Sequence, residues 1–317
     1  MHAGVSATDV APRLSIVVPM FNEEEALPEL RRRLTDALRD VEDSYELILV
    51  DDGSDDGSAA LAESWVEAGD DVVLVELSRN FGLEVAMSAG LDHARGHHVV
   101  LMHADLQDPP ELIPEMLARA AAGADVVYAR RIGRDESLAK RTMATAFYKL
   151  MERLARVPYQ GQAGDFRLMS RRVVDTIQQM PERRRFLRAM VAWVGFEQAP
   201  VEYRRAGRRV GAGASYPALF RLAAEAVASF SDVPLALATY FGLATAILSA
   251  AAALVLVVLT LVGALTTTLP LWILVATLFL GGVQLISVGI LGRYMARVHE
   301  QVLMRPLYLV SRVIRRP

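Results

Sequence analysis

The residues best suited to chemistry lie in the run His103-Ala104-Asp105-Leu106-Gln107-Asp108-Pro109-Pro110-Glu111. Asp105 and Gln107, two apart in a tight turn, can aim side-chain oxygens at one hard cation. That arrangement suits magnesium or manganese carried in on a diphosphate. Before the turn, His98 to Met102 reads as a short buried strand following Gly96. After it, Pro109-Pro110 opens a helix with Glu111 in its first turn, where prolines and acids are favoured. An ordinary strand-to-helix turn with Asp108 as helix cap accounts for the same residues equally well. The rest of the chain has to decide between them.

A site needs elements to carry it. Met1 to Arg13 has no apolar core and reads as a leader rather than a signal peptide. Leu14 to Val18 is a first strand ending at Pro19-Met20-Phe21-Asn22-Glu23-Glu24-Glu25, with a helix from about Ala26 to Arg39. A second strand, Glu46 to Val50, runs into Asp51-Asp52-Gly53-Ser54-Asp55-Asp56-Gly57-Ser58. Val72 to Leu77 is a third, followed by Ser78-Arg79-Asn80-Phe81-Gly82 and a helix, and Asp125 to Tyr128 is a fifth. Short apolar strands alternating with helices imply an α/β domain with a mostly parallel sheet covered on both faces. Such sheets bind ligands beyond the carboxyl ends of their strands, and these polar motifs follow strand ends. They should converge on one edge.

Neither a glycine-rich dinucleotide fingerprint nor a lysine-bearing phosphate loop is present. A nucleotide here would be gripped by carboxylates, backbone groups and a metal. Asp51 and Asp52 can accept hydrogen bonds from ribose hydroxyls or a base N–H, whereas turn and capping chemistry accounts for Asp55 and Ser58 and in part for Asp52. After the fifth strand Arg130, Arg131, Arg134, Lys140 and Arg141 form a basic run. It reads as a solvated face or as the seat of a second, phosphate-bearing substrate. In Gly164-Asp165-Phe166-Arg167-Leu168-Met169, strand alternation puts Asp165 and Arg167 on one face, where they could form an ion pair. Pro181 to Arg188 reads as a basic helix and Trp193 to Phe196 as an aromatic turn. Arg204, Arg205, Arg208 and Arg209 lead into a glycine-rich loop.

The formal net charge is -3, which implies no general affinity for nucleic acid, and the absence of cysteine excludes disulfide and thiol chemistry. The 53% hydrophobic content is concentrated late: Val233 to Gly292 holds no charged residue, enough for two membrane crossings of about 20 residues each. Tyr216 to Phe230 has the spacing of an amphipathic surface helix. Arg293 to Pro317 carries six arginines against Glu300 alone, which with the preceding arginines puts both flanks, and the catalytic domain, in the cytosol. The expected organisation is a leader (1–13), a catalytic domain (14–213), a membrane-surface helix (214–232), two transmembrane helices (233–292) and a basic tail (293–317).

Five motifs in order carry a resemblance: Pro19-Met20-Phe21-Asn22-Glu23-Glu24, Val50-Asp51-Asp52-Gly53-Ser54, Ser78-Arg79-Asn80-Phe81-Gly82, Ala104-Asp105-Leu106-Gln107-Asp108-Pro109-Pro110-Glu111 and Gly164-Asp165-Phe166-Arg167-Leu168. Together with the apolar hairpin and the Arg305-Pro306-Leu307-Tyr308 tail, the chain resembles the polyprenyl-phosphate glycosyltransferases of glycosyltransferase family 2. Bactoprenol glucosyltransferases and dolichol-phosphate mannose synthase are among these. The resemblance implies a GT-A fold, a Mg2+ or Mn2+ ion, a nucleotide-sugar donor and a polyprenyl phosphate acceptor. It also implies an inner-membrane location and a possible homo-oligomer, a tetramer in relatives.

By the same resemblance Pro19, Phe21, Glu23, Asp51, Asp52 and Asn80 would hold the nucleotide, and Asp105 and Gln107, with His103, the metal. Arg130, Lys140 and Arg141 would bind the acceptor phosphate. Asp105, Asp165 and Arg167 would sit at the reacting centre. Two departures stand out. Relatives usually carry aspartate where His103 stands, which removes one negative charge near the metal. They also usually carry a lysine before the tyrosine of Gly213-Ala214-Ser215-Tyr216-Pro217, so Arg208 or Arg209 would take over the diphosphate. The expected reaction is an inverting transfer with UDP-glucose as favoured donor. GDP-mannose and a UDP-amino sugar stand behind it, and a catalytically inactive scaffold is the rival class. A processive synthase is disfavoured, because no Gln-x-x-Arg-Trp motif is present.

Overall fold

Seven consecutive buried residues make strand β1 (Leu14–Met20), and such a run can only sit inside a sheet covered on both faces. The computed structural model describes residues 12–41, 44–69, 71–132, 163–183, 185–204 and 269–316, with scattered helical residues between 240 and 262. Two units divide the chain, one comprising Met1–Lys149, Val157–Ala212 and Pro306–Pro317, the other Leu150–Arg156 and Gly213–Arg305.

In the first unit β1 is followed by α1 (Leu27–Leu38), β2 (Tyr45–Asp51), α2 (Ser58–Glu67), β3 (Val72–Leu77), α3 (Leu83–His93) and β4 (His98–Leu101). A 3-10 turn (Pro110–Leu112) leads into α4 (Ile113–Ala121). Then come β5 (Val126–Ile132), β6 (Ala163–Ser170), α5 (Arg171–Gln178), α6 (Leu187–Trp193) and β7 (Gln198–Arg204). The second unit contributes α7 (Leu269–Val302), and the chain returns to the first unit as β8 (Val310–Arg315). The strands form one sheet in the order β7-β5-β6-β4-β1-β2-β3-β8. The central strands β4, β1, β2 and β3 are parallel, whereas β6 runs antiparallel to β4 and β5, and β8 antiparallel to β3. This is the mostly parallel α/β fold expected from the strand–helix alternation, GT-A-like as the resemblance implied.

Alternation along the strands sorts the core. Ile16, Val18, Leu47 and Leu49 pack on one face with Leu27, Leu30 and Leu34 of α1, Trp65 of α2 and Met116 of α4. Val17, Ile48 and Val50 pack on the other with Met87 and Leu91 of α3, Ile177 of α5 and Met190 of α6. The small residues Ala86, Ser88, Ala89 and Gly90 let α3 lie close to β1, and a Cβ on Gly90 would fall 2.1 Å from Val17 Cγ1.

Several elements differ from the sequence reading. Pro181 to Arg183, Arg185 and Phe186 are not helical, and α6 starts at Leu187. Glu182 to Arg185 offer no apolar side chain to bury, so the helix begins where Leu187, Met190 and Val191 supply one. The tail (293–317) was expected only as a basic segment. It instead adds β8 to its own sheet, fixed by the Arg312 guanidinium, which donates to Glu76 and Glu63 at 2.6–2.8 Å. In the second unit α7 runs to Val302, ten residues past the expected end at Gly292. Among the described residues one helix, Phe279–Val302, is long and apolar enough to cross a membrane, where two were expected. The leader, the amphipathic segment and the turn at Thr266 to Thr268 lie outside the described residues.

Gly90→Ala should destabilise the first unit by about 1–3 kcal/mol, because Val17 is stiff at χ1 and has no space to give. Urea unfolding followed by far-UV circular dichroism checks this, with an unchanged midpoint as the contrary result.

Candidate active site

Strand β1 pairs with β2 on one side and β4 on the other, so the loops leaving β1 and β4 diverge and open a crevice at their carboxyl ends. Four loops border it, and side chains fasten them to one another. Asn22, at φ 56°, donates its N–H to Ser54 Oγ (3.0 Å) and accepts Asp55 N–H on Oδ1 (2.9 Å). Glu23 N–H donates to Ser58 Oγ (2.9 Å), so Ser58 ties two loops together instead of capping α2 as expected. Asp52 accepts Phe81 N–H on one oxygen (2.7 Å) and Gly82 N–H on the other (2.8 Å). Gly53, at φ 76°, lets these loops touch, since a Cβ there would meet the Arg79 carbonyl carbon at 2.8 Å. The fourth loop is closed by Asp108, whose Oδ2 accepts His103 N–H (3.0 Å), and by Asp105, whose Oδ1 accepts Gln107 N–H (3.1 Å). Asp108 therefore closes a loop and does not cap the following turn.

The cleft between the loops has a volume of about 340 Å³. Pro19, Phe21, Glu23, Asp52, Asn80, His103 and Asp105 all line it. Other expected residues stand elsewhere. Asp51 is buried and turned onto Ser54 N–H, at 3.3 Å from each oxygen. Gln107 meets Asp105 through its backbone and does not line the cleft. Arg130 is paired with Glu202, its direct partner across β5 and β7. Lys140, Arg141, Arg208 and Arg209 lie outside the described residues.

Behind the cleft wall lies an ionic cluster that follows from strand register. Strand β4 pairs antiparallel with β6 through His98↔Ser170 to Leu101↔Arg167. Carried two residues further, that register sets His103 opposite Asp165. His103 Nε2 is 3.5 Å from Asp165 Oδ2, an ionic contact too long for a good hydrogen bond, and this nitrogen has no hydrogen-bond partner. Arg188 holds Asp165 from the other side as a fork, Nε to Oδ1 (3.2 Å) and Nη2 to Oδ2 (2.8 Å). Arg167, expected on the same strand face, also acts on Asp165 through its charge. Arg167 donates to the backbone carbonyls of Asp165 (3.3 Å) and Gly164 (2.7 Å).

Two residues of this cluster were not singled out in the sequence. Arg188 was counted as part of a basic helix, and Glu84 only as a helix-start acid is detectable at all. Its Oε2 accepts Leu187 N–H (2.9 Å).

Burial dominates the electrostatics. It raises Glu23, Asp51 and Asp52 above the usual carboxylate range, and Asp105 adds to the effect at Glu23. At His103 burial opposes the charged imidazole, but Asp165, Asp108 and Asp105 outweigh it and the group titrates high. Burial also disfavours ionised Asp165, yet His103, Arg188 and Arg167 together hold it well below the usual range. Such a carboxylate is a weak base, suited to orienting partners rather than removing a proton. Glu84 goes the other way, pushed up to about 7 by burial and further by Asp165, against the pull of Leu187 N–H, Arg188 and Arg167.

The raised Glu84 has a signature in stability. Its value in the unfolded chain is 4.5, so between about pH 4.5 and 7 the native state binds more protons. Stability should therefore fall as pH rises through that window and level off above it, by on the order of 3 kcal/mol for this group. Glu84→Gln should flatten the slope between pH 5 and 7, measured by urea unfolding at a series of pH values. An identical slope in the variant would contradict the assignment.

The sequence was compared with known proteins. Residues 15–178 match the model of glycosyl transferase family 2. An uncharacterized glycosyltransferase of Synechocystis sp. is 44% identical over 94% of both chains. The bactoprenol glucosyl transferase of Shigella phage SfII is 40% identical over 95% of this chain and 98% of its own length. A prophage bactoprenol glucosyl transferase homolog of Escherichia coli is 38% identical over 95% and 99%. Among solved structures, a mannosyltransferase from Pyrobaculum calidifontis in complex with GDP-Man and Mn2+ is 19% identical, with TM-score 0.43 over 88% of each chain. With the family model covering the strands, the helices and the loops that form the cleft, the chain belongs to glycosyltransferase family 2.

Proposed function

We propose that the protein moves glucose from UDP-glucose to a polyprenyl phosphate at the membrane, giving a lipid-phosphate sugar. The observation that carries this reading is the nearly end-to-end similarity, about 40%, to bactoprenol glucosyl transferases. The cleft is consistent with it. Phe21, 43% exposed at the rim, offers a face for a base, and Glu23 and Asn80 offer hydrogen-bonding groups beside it.

A divalent ion suits the residues present. Among the described residues no three acidic, histidine or cysteine side chains form a ready cation cage. Magnesium, however, is commonly held by one or two protein groups, with the rest from phosphates and water. Asp105 lines the cleft beside His103, and the mutual repulsion of Glu23 and Asp105 favours an added cation. The ion, when bound, would supply Lewis-acid stabilisation of the departing diphosphate.

The chain's own residues do the rest. An isoprenoid monophosphate is anionic near neutral pH, so its oxygen can attack without a strong base, in keeping with the low-pKa Asp165. The rigidly tied loops hold the donor so that attack comes from behind the anomeric carbon, which inverts it. We assign the acceptor phosphate to the basic run that starts at Arg130, where phosphate would compete with Glu202. The apolar surface of α7, with Leu285, Ile286 and Leu291 more than half exposed, supports membrane anchoring, and residues 240–262 are the candidate second crossing.

The test is transfer of labelled sugar from UDP-glucose, GDP-mannose and UDP-N-acetylglucosamine to undecaprenyl phosphate, with Mg2+, Mn2+ or chelator. Glucose transfer that chelator abolishes is expected, and Asp105→Ala should lower it by about 100-fold or more. His103→Asp, by adding a carboxylate, should lower the half-activating Mn2+ concentration about tenfold. Absence of glucosyl transfer with UDP still bound would overturn the reading.

A further inference from the structure

Asp165 stands behind the cleft wall, held by Arg188, which does not line the cleft, and faced by His103, which does. Its two oxygens meet the fork of Arg188 at 2.8 and 3.2 Å, and the second also faces His103. Arg188 is the second residue of α6, a helix of seven residues whose first position has no side-chain cap. The N–H of Leu187 would be one of the orphan donors of that end. Glu84, 103 residues earlier in the chain, accepts it at 2.9 Å. Glu84 itself lies in the first turn of α3, two residues after Gly82, and Asp52 holds the N–H groups of Phe81 and Gly82 from within the cleft. A path thus runs from Asp52 by hydrogen bonds to Phe81 and Gly82, along the chain to Glu84, and by contacts through Leu187, Arg188 and Asp165 to His103.

We propose that Arg188 is a positioning residue of the transfer reaction, and that Glu84 is the brace fixing the backbone from which Arg188 reaches Asp165. This rests on the glycosyl-transfer reading given above. The fork matters because a guanidinium fixes both carboxylate oxygens in one plane, whereas an ammonium is a point charge around which the carboxylate can swing. Without the fork, Asp165 loses its orientation and His103 loses the group that faces its buried nitrogen. Glu84 acts through its oxygen as an acceptor, so its role does not require its charge.

The experiment uses the full chain in the transfer assay, with UDP binding measured alongside. Arg188→Ala should lower kcat about 100-fold, the scale expected when a group near the reacting atoms is misplaced, while the Kd for UDP changes less than about twofold. Added guanidinium ion should restore a measurable part of the loss, and Arg188→Lys should recover little. Glu84→Leu should lower kcat with UDP affinity kept, and Glu84→Gln should retain most of the rate. A loss of kcat and UDP affinity in parallel with a lowered Tm, without guanidinium rescue, would overturn the proposal. Equal losses in Glu84→Gln and Glu84→Leu would remove Glu84 from it.

Hydrogen exchange supplies a readout without turnover. In Arg188→Ala it should rise in residues 102–108 and 163–168 and not in residues 21–25, and unchanged exchange in the first two segments counts against the brace. Failure of the wild type to transfer sugar would refute the function by itself, and the exchange measurement would still judge the brace.

Discussion

The parallel pairing of β1 with both β2 and β4 is the constraint from which the site follows. Strands leaving one central neighbour in opposite lateral directions force their outgoing loops apart, and the space between them has to be lined by whatever those loops carry. Here they carry acids. The acids are then turned to two ends. Some, such as Asp52 and Asp108, spend their oxygens on backbone N–H groups and make the loops stiff. Others, Glu23 and Asp105, face the cleft and repel one another across it. Stiffness and unbalanced negative charge have the same origin.

Much of this was legible in the amino-acid order because the signals are local. Runs such as Leu47 to Val50 can only be buried strands, and polar clusters after them can only lie at a strand end. Six of the expected nucleotide and metal residues beside Asp105 do line the cleft: Pro19, Phe21, Glu23, Asp52, Asn80 and His103. What was not legible is long-range. That Ser58 serves Glu23 and not its own helix depends on two loops meeting, and that Asp108 closes its loop depends on the turn at Leu106, φ 60°. The roles of Glu84 and Arg188 depend on α3 and α6 packing on the same face of the sheet.

The His103 substitution gains meaning from the β4–β6 register. A side chain at that position is opposite Asp165 whatever its type, so an aspartate there would place two carboxylates against each other unless a cation intervened. A histidine removes that conflict and faces Asp165 in an ionic contact at 3.5 Å. Thus the departure from the usual family pattern is accommodated by a neighbour already in place, and the cost falls on the charge available to a metal. Whatever this exchange does to metal preference, it leaves the strand geometry of the site intact.

The last strand, β8, carries one more implication. The sheet of the first unit ends at β3 until residues 310–315 return to cover it, and between the two lie the whole of α7 and the apolar run before it. During synthesis the catalytic domain must therefore wait with an uncovered edge, Val72–Leu77, whose inward and outward residues are largely apolar. An open apolar edge is a template for pairing with another chain. Completion of the fold is tied to the synthesis of the apolar segment: a ribosome paused there holds a nearly finished domain that is prone to aggregate.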